Sequence, residues 1–163
     1  MRYIVSAIIM IAIGVLFSLP AQAAGSRVNE FDHAFGRVPC NTSGVCIVKA
    51  NGGGVIADFQ AAARAINRSG VKVVIAGPCY SACTIFADLA RSHVCITPKA
   101  EFGFHKAMLV DEFGFSHPDL DQPLPGNSRD IVKWVNKHGG YPPPTSLLKM
   151  SYSQASAFWK RCS

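Results

Sequence analysis

The sequence lacks any local concentration of charge. Its 16 Lys and Arg residues outnumber its 10 Asp and Glu residues, and the formal net charge is +6. No run of basic residues occurs, and no basic stripe follows a helical period. Charge scattered in this way is ordinary surface charge and differs from the basic face that a nucleic-acid-binding domain needs. The sequence therefore predicts no nucleic-acid partner.

The sequence also lacks the spacings of common zinc and redox sites. No two cysteines are separated by only two residues, and no histidine stands beside a cysteine pair. These absences argue against a zinc ribbon and against a thioredoxin-like motif. We therefore expect no metal and no organic cofactor.

The first 23 residues have the pattern of a secretory signal peptide. Arg2 precedes an apolar run over residues 4–19, and Ala-Gln-Ala occupies residues 21–23. The apolar run is short for a membrane span. We expect cleavage after Ala23, which would leave a single periplasmic or secreted domain, residues 24–163, without a stable membrane span. An uncleaved N-terminal anchor is the alternative.

An even number of cysteines in an exported chain predicts disulfide bonds. All six follow the predicted cleavage site: Cys40, Cys46, Cys79, Cys83, Cys95 and Cys162. The sequence does not choose among the possible pairings. Cys40 and Cys46 flank a turn-like loop, so they could pair locally. Cys79 and Cys83 could pair only if Cys79 lies before the start of a helix.

Runs of β-branched residues alternate with helical patterns in the middle of the chain. Strands are predicted over residues 45–50, 71–77, 94–98 and 101–105, and helices over residues 55–70 and 81–92. Later helices are predicted over residues 128–140 and 151–162. Residues 24–39 show little periodicity, and no element is predicted there. The alternation favours an α/β fold with a small, mainly parallel sheet and crossover helices.

Three chemically useful features fall where predicted strands end. A glycine turn follows the first strand, Ser81 begins the helix after the second, and His105 ends the fourth. Ligands of parallel α/β sheets bind at this edge. The N–H of Ala82, with that of Gly52 or Gly53, could hold an oxyanion, while His105 takes the proton of Ser81. These are the parts of an acyl-transfer site.

The same residues also have a purely structural interpretation, without catalysis. A serine at a helix start is most often an N-cap, whose hydroxyl accepts a backbone hydrogen bond. A histidine at a strand end is usually a half-exposed structural residue. On this interpretation the glycines form a turn and nothing more.

Two segments, NGGGVIADFQAAARAI and AGPCYSACTIFADLARSHVCITPKAEFGFH, resemble the Clp-protease proteolytic subunit of the crotonase-like superfamily. They are more similar still to exported, periplasmic ClpP-like proteins, which carry Cys-x-Ser-Ala-Cys followed by Gly-Phe-His. The resemblance covers residues 45–106. It implies a crotonase/ClpP-like fold and a serine peptidase or hydrolase acting on a peptide or another acyl substrate. Ser81 would be the nucleophile, His105 the general base, and the N–H groups of Ala82 and of Gly52 or Gly53 the oxyanion hole.

The sequence departs from the family in its acidic residue. The family's triad includes a downstream aspartate, whereas no Asp or Glu follows residue 130 here. The acid could come from an earlier position, the site could be a Ser-His dyad, or it could be inactive. The earlier candidates are Asp111, Asp119, Asp121 and Asp130. The alternative function is a catalytically inactive ClpP-like fold that binds periplasmic peptides or associates with the envelope. Segments that build the protease's oligomer are not recognisable, so the oligomeric state stays open.

Overall fold

A computed structural model describes residues 25–36, 38, 40–41, 44–117 and 122–163. The predicted signal peptide and its cleavage site lie outside these residues, as do Asp119 and Asp121. Among the helices that are described, none has both the length and the apolar character to cross a membrane.

Helices and short strands follow one another along the described part of the chain. In chain order they are α1 (Gly25–Phe35), β1 (Val45–Val48), α2 (Ile56–Ser69), β2 (Lys72–Ile75), β3 (Pro78–Tyr80), α3 (Ala82–Leu89), β4 (Val94–Ile96), β5 (Glu101–Phe104), α4 (Arg129–Lys137), β6 (Leu148–Met150), α5 (Tyr152–Ala155) and β7 (Lys160–Arg161). A short 3-10 turn, Arg91–His93, separates α3 from β4.

The strands form two sheets. The first has the order β1-β2-β4-β7, and all of its neighbouring strands are parallel. In the second, with the order β3-β5-β6, β3 is parallel to β5 and β6 is antiparallel. The predicted α/β architecture with a mainly parallel sheet is therefore confirmed.

Helix α2 shows why the local sequence signals succeed in the central part of the chain. Its apolar face buries Phe59, Ala62 and Ile66. Gly70 ends the helix in a left-handed conformation with φ 71°, and its N–H donates to the carbonyl of Ile66 at 2.9 Å. Glycine adopts this conformation without a steric penalty, so the helix ends where the sequence predicts.

Helix α1 lies in a segment where the sequence predicts no element. Its residues Phe31 and Phe35 stack with ring centroids 4.6 Å apart, and Phe35 also packs against Phe59 and Phe86. The absence of a predicted helix here is wrong. The apolar residues 28, 31, 34 and 35 do follow a helical period, but they are few among polar neighbours.

The predicted helix over residues 151–162 is also wrong in its extent. Only the single turn α5 is helical, and the chain then continues as β7 beside β4. Trp159 is buried, stacks on Phe102 at 4.1 Å, and donates its indole N–H to the carbonyl of Ala87 at 2.8 Å. These contacts with distant residues override the helical pattern, as tertiary contacts often do.

The chain passes from the first sheet to the second between β2 and β3. At this crossing a Cβ on Gly77 would lie 1.8 Å from the carbonyl oxygen of Lys49, so only glycine fits without displacing the backbone. The strand predicted over residues 71–77 is thus shorter, and the unpredicted strand β3 follows it. This switch places the end of β3, and with it Ser81, beside the loop that follows β1.

All six cysteines form disulfide bonds, which join Cys40 to Cys46, Cys79 to Cys83, and Cys95 to Cys162. The prediction of disulfides is confirmed, and the pairings that the sequence left open are settled. Cys79 lies in β3, before α3 begins, which is the condition for its pairing with Cys83. Three disulfides fit a protein of an oxidising, extracytoplasmic compartment.

Candidate active site

Ser81 connects β3 to α3 in an unusual backbone conformation. Its φ is 53° and its ψ is −127°, and no other non-glycine residue described by the structure has a positive φ. Its N–H donates to the carbonyl of Gly103 at 2.8 Å, and its carbonyl accepts the N–H and the hydroxyl of Thr84, both at 2.8 Å. Such a conformation costs on the order of 1–3 kcal/mol and persists only where the surroundings enforce it.

Ser81 does not act as a helix cap. A serine N-cap has extended backbone angles and accepts a hydrogen bond from the first turn, whereas Ser81 has neither feature. Its hydroxyl is without a hydrogen-bond partner among the residues that the structure describes. Ser81 therefore occupies the N-cap position of α3 without its hydroxyl capping the helix.

The glycine loop after β1 lies directly against Ser81. A Cβ on Gly53 would come within 2.6 Å of the Cβ of Ser81 and 2.9 Å of the nitrogen of Ala82, and Gly53 has φ 90°. The N–H of Gly53 donates to Oδ1 of Asn51 at 2.8 Å. Of the two predicted glycine donors, Gly53 is therefore already engaged. Gly52 and Ala82 remain as candidate donors to an oxyanion.

His105 follows β5, and its ring is half-buried. Its Nδ1 lies 2.5 Å from the carbonyl oxygen of Lys106. A carbonyl can only accept, so this contact selects the tautomer in which Nδ1 carries the proton. The other ring nitrogen, Nε2, then has a free lone pair, as a general base requires.

Ser81 and His105 line one cleft, together with the glycine loop. The cleft has a volume of about 720 Å³, and no direct hydrogen bond joins the two side chains across it. Catalytic hydrogen bonds are often long before a substrate binds. The rest of the lining is mainly apolar: Val55, Ile56, Ala57, Ala107, Met108, Leu109, Val110 and Leu124.

Asp111, one of the candidate acids, is engaged away from the cleft. Its carboxylate accepts the N–H groups of Phe113 and Phe115 and lies 2.9 Å from Nε2 of His117. The hydrogen bond to His117 is the largest cause that lowers the pKa of this carboxyl. Asp111 therefore orders its own exposed hairpin and does not contact His105.

Asp130 is likewise committed elsewhere. Its carboxylate lies 2.6 Å from the guanidinium of Arg91, which also contacts Asp88 and Ser128. The hydrogen bond from Arg91 holds the pKa of Asp130 well below its usual value. Within the described part of the chain, then, no carboxylate orients His105.

Tyr80, Glu101 and Lys149 form a polar wall that the sequence does not predict. Tyr80 and Lys149 line a second pocket of about 450 Å³, together with His105, Gly52, Thr145 and Ser146. In this wall Tyr80 donates its hydroxyl to Glu101, and Nζ of Lys149 lies 3.0 Å from the same carboxylate.

The charge state of this wall follows from those two contacts. The hydrogen bond from Tyr80 is the main cause that lowers the pKa of Glu101, and the same bond raises the pKa of Tyr80. The hydrogen bond to Glu101 raises the pKa of Lys149, so this contact favours the charged form of the amine further. The sequence did not reveal this group because strand β6, which carries Lys149, was itself not predicted.

Comparison with protein-family models, with curated proteins and with solved structures found no match to this chain. The resemblance of residues 45–106 to ClpP-like proteins therefore rests on the sequence motif.

Proposed function

We propose that this protein is a periplasmic or secreted serine hydrolase with a ClpP-like fold, acting on a peptide or another acyl substrate. The observation that carries the proposal is the backbone of Ser81. A serine held with positive φ on a sharp strand-to-helix turn, beside a cleft, is similar to the turn on which α/β-hydrolases expose their nucleophile. A serine with a structural role has no need of this conformation.

The reaction uses Ser81 and His105, which line the cleft, and two nearby backbone N–H groups. Nε2 of His105 takes the proton of Ser81 as the Oγ attacks the substrate carbonyl carbon. The N–H groups of Ala82 and Gly52 hold the oxyanion that forms. His105 then gives the proton to the leaving group. In the second half of the reaction His105 takes a proton from water, whose oxygen attacks the acyl carbonyl carbon, and returns that proton to Oγ of Ser81 as the ester bond breaks.

The carbonyl oxygen of Lys106 accepts the hydrogen bond from Nδ1 of His105, which in a full triad the acid accepts. It orients the imidazole and accepts the Nδ1–H bond, but it is neutral and stabilises an imidazolium less than a carboxylate does. Disabling the acid of a full triad lowers turnover by roughly 10⁴-fold. We therefore expect a slow hydrolase.

The absence of a carboxylate beside His105, among the described residues, favours a second candidate function. With Asp111 and Asp130 engaged elsewhere, the fold could serve as a catalytically inactive protein that binds peptides in the cleft. The two functions differ in whether Ser81 is chemically activated.

The test is covalent labelling of the oxidised, exported protein with a fluorophosphonate probe, followed by peptide mass spectrometry. We expect labelling at Ser81, none in Ser81→Ala, and a rate lowered by roughly 100-fold in His105→Ala. His138→Ala is the matched control, because this histidine stacks on Trp134 and lines neither pocket. Folded protein that stays unlabelled would support the binding function instead.

A further inference from the structure

The disulfide between Cys79 and Cys83 brackets the proposed nucleophile. Cys79 belongs to β3 and Cys83 to the first turn of α3, so the bond spans the turn with Ser81 at its centre. Both cysteines are fully buried. The bond therefore joins the two elements whose relative direction sets the backbone angles of Ser81.

The local hydrogen bonds do not account for the conformation by themselves. The bond from Ser81 to Gly103 continues the pairing of β3 with β5, and the bonds from Thr84 belong to the first turn of α3. Each bond anchors one side of Ser81 to its own element. Between those anchors, a residue with a Cβ tends to relax to a negative φ.

We propose that the Cys79–Cys83 disulfide is the positioning device of the site, which holds Ser81 in the conformation that presents its hydroxyl to the cleft. Cys79 and Cys83 are then positioning residues, and the disulfide-bonded form is the reactive one. The effect of the disulfide on reactivity rests on the proposed function. Its effect on the backbone conformation of Ser81 can be tested separately.

The disulfide between Cys79 and Cys83 forms by oxidation of the two thiols. The two thiols release two protons and two electrons to an external disulfide, which is reduced to a dithiol. Since an oxidising compartment supplies such disulfides, the protein would gain its reactive form after export. A reducing compartment would keep Ser81 in the relaxed conformation.

The disulfide between Cys40 and Cys46 provides a matched control. Its sequence separation is 6, against 4 for Cys79 and Cys83, so the two bonds restrict the unfolded chain to a similar degree. Cys40 and Cys46 line none of the pockets that contain Ser81 or His105. The two bonds differ in burial, because Cys40 is exposed whereas Cys79 and Cys83 are fully buried. Exchange measured at the N–H groups beside the bond therefore separates an effect on the site from a loss of general stability.

The experiment compares Cys79→Ala/Cys83→Ala with Cys40→Ala/Cys46→Ala in the exported protein. We expect the first variant to lose about tenfold or more in fluorophosphonate labelling rate, and the second to change less than about twofold. Hydrogen exchange is the second readout, at the N–H groups of Ser81 and Thr84. Protection there should fall about tenfold in the first variant only.

A glycine at position 81 keeps the test decisive if the first variant folds poorly. Glycine accepts the conformation of residue 81 without strain, so Ser81→Gly added to Cys79→Ala/Cys83→Ala should restore folding and the protection of Thr84. A triple variant as unprotected as the double variant would overturn the inference.

Failure of the inference and failure of the proposed function give different results. If the wild-type protein is labelled and Cys79→Ala/Cys83→Ala is labelled equally fast, with unchanged protection at Ser81, the disulfide does not position the serine. If the wild-type protein is not labelled, the hydrolase proposal fails. The exchange rates of Ser81 and Thr84 then decide whether the disulfide holds the turn.

Discussion

Removing the disulfide between Cys95 and Cys162 should destabilise the protein more than removing either of the others. The bond joins β4 to the residue after β7 across a sequence separation of 67, whereas the other separations are 6 and 4. The chain-entropy relation gives about 4.4 kcal/mol for the long loop and about 2 kcal/mol for each short one. The long loop is thus responsible for a large part of the roughly 5–15 kcal/mol that stabilises a typical domain.

The folded state should survive this change because other contacts hold the same segment. Trp159 stays stacked on Phe102 and bonded to Ala87, and the N–H of residue 162 donates to Ile96 at 3.0 Å. The effect therefore arises mainly in the unfolded chain. For a domain of this size, the loss corresponds to a fall in Tm of about 10–15 °C.

The assay is equilibrium unfolding in guanidinium chloride, followed by tryptophan fluorescence, to which the buried Trp159 and the half-buried Trp134 contribute. Cys95→Ala/Cys162→Ala is compared with Cys40→Ala/Cys46→Ala under identical oxidising conditions. Equal losses of unfolding free energy in the two variants would refute the loop-entropy reasoning. A native spectrum in both variants before unfolding is the control for an intact fold.

Two further predictions concern the glycine loop and the acid response. Gly53→Ala should lower the unfolding free energy by about 2–3 kcal/mol, since its Cβ would lie 2.6 Å from that of Ser81, whereas Gly52→Ala should change it by under about 0.5 kcal/mol. Thermal melts check both. Because Arg91 lowers the pKa of Asp130 in the folded state, the stability from this pair is present above about pH 4 and is lost as the pH falls further. Asp130→Asn should lower Tm at pH 7 and flatten its decline towards pH 2.5; an unchanged acid slope would contradict this assignment.

Local sequence signals were sufficient where an element depends on its own residues. Helix α2 begins and ends within one residue of its predicted bounds, because an apolar face and Gly70 define it locally. The strands β1, β2, β4 and β5 lie within their predicted segments for the same reason. Helix α1 also carries a local period, in Phe31 and Phe35, but its polar neighbours dilute that signal.

Local sequence patterns do not predict the elements that depend on distant partners. Strands β6 and β7 have two or three residues each, too few for a pattern, and they exist because β5 and β4 pair with them. The partners of acidic side chains are also set by the fold and not by neighbouring residues. Asp111 and Asp130 were candidates on sequence order, but their partners His117 and Arg91 occupy them in the fold.

The α/β alternation, the presence of disulfides, and the placement of a serine, a histidine and a glycine loop at strand ends can all be read from the residues in order. The pairing of the cysteines and the conformation of Ser81 depend on the folded chain. The positive φ of Ser81 arises from its position between the carbonyl of Gly103, the backbone of Gly53 and the bond between Cys79 and Cys83. No pattern of neighbouring residues encodes that conformation, because it is unfavourable locally and is stabilised only by contacts between elements.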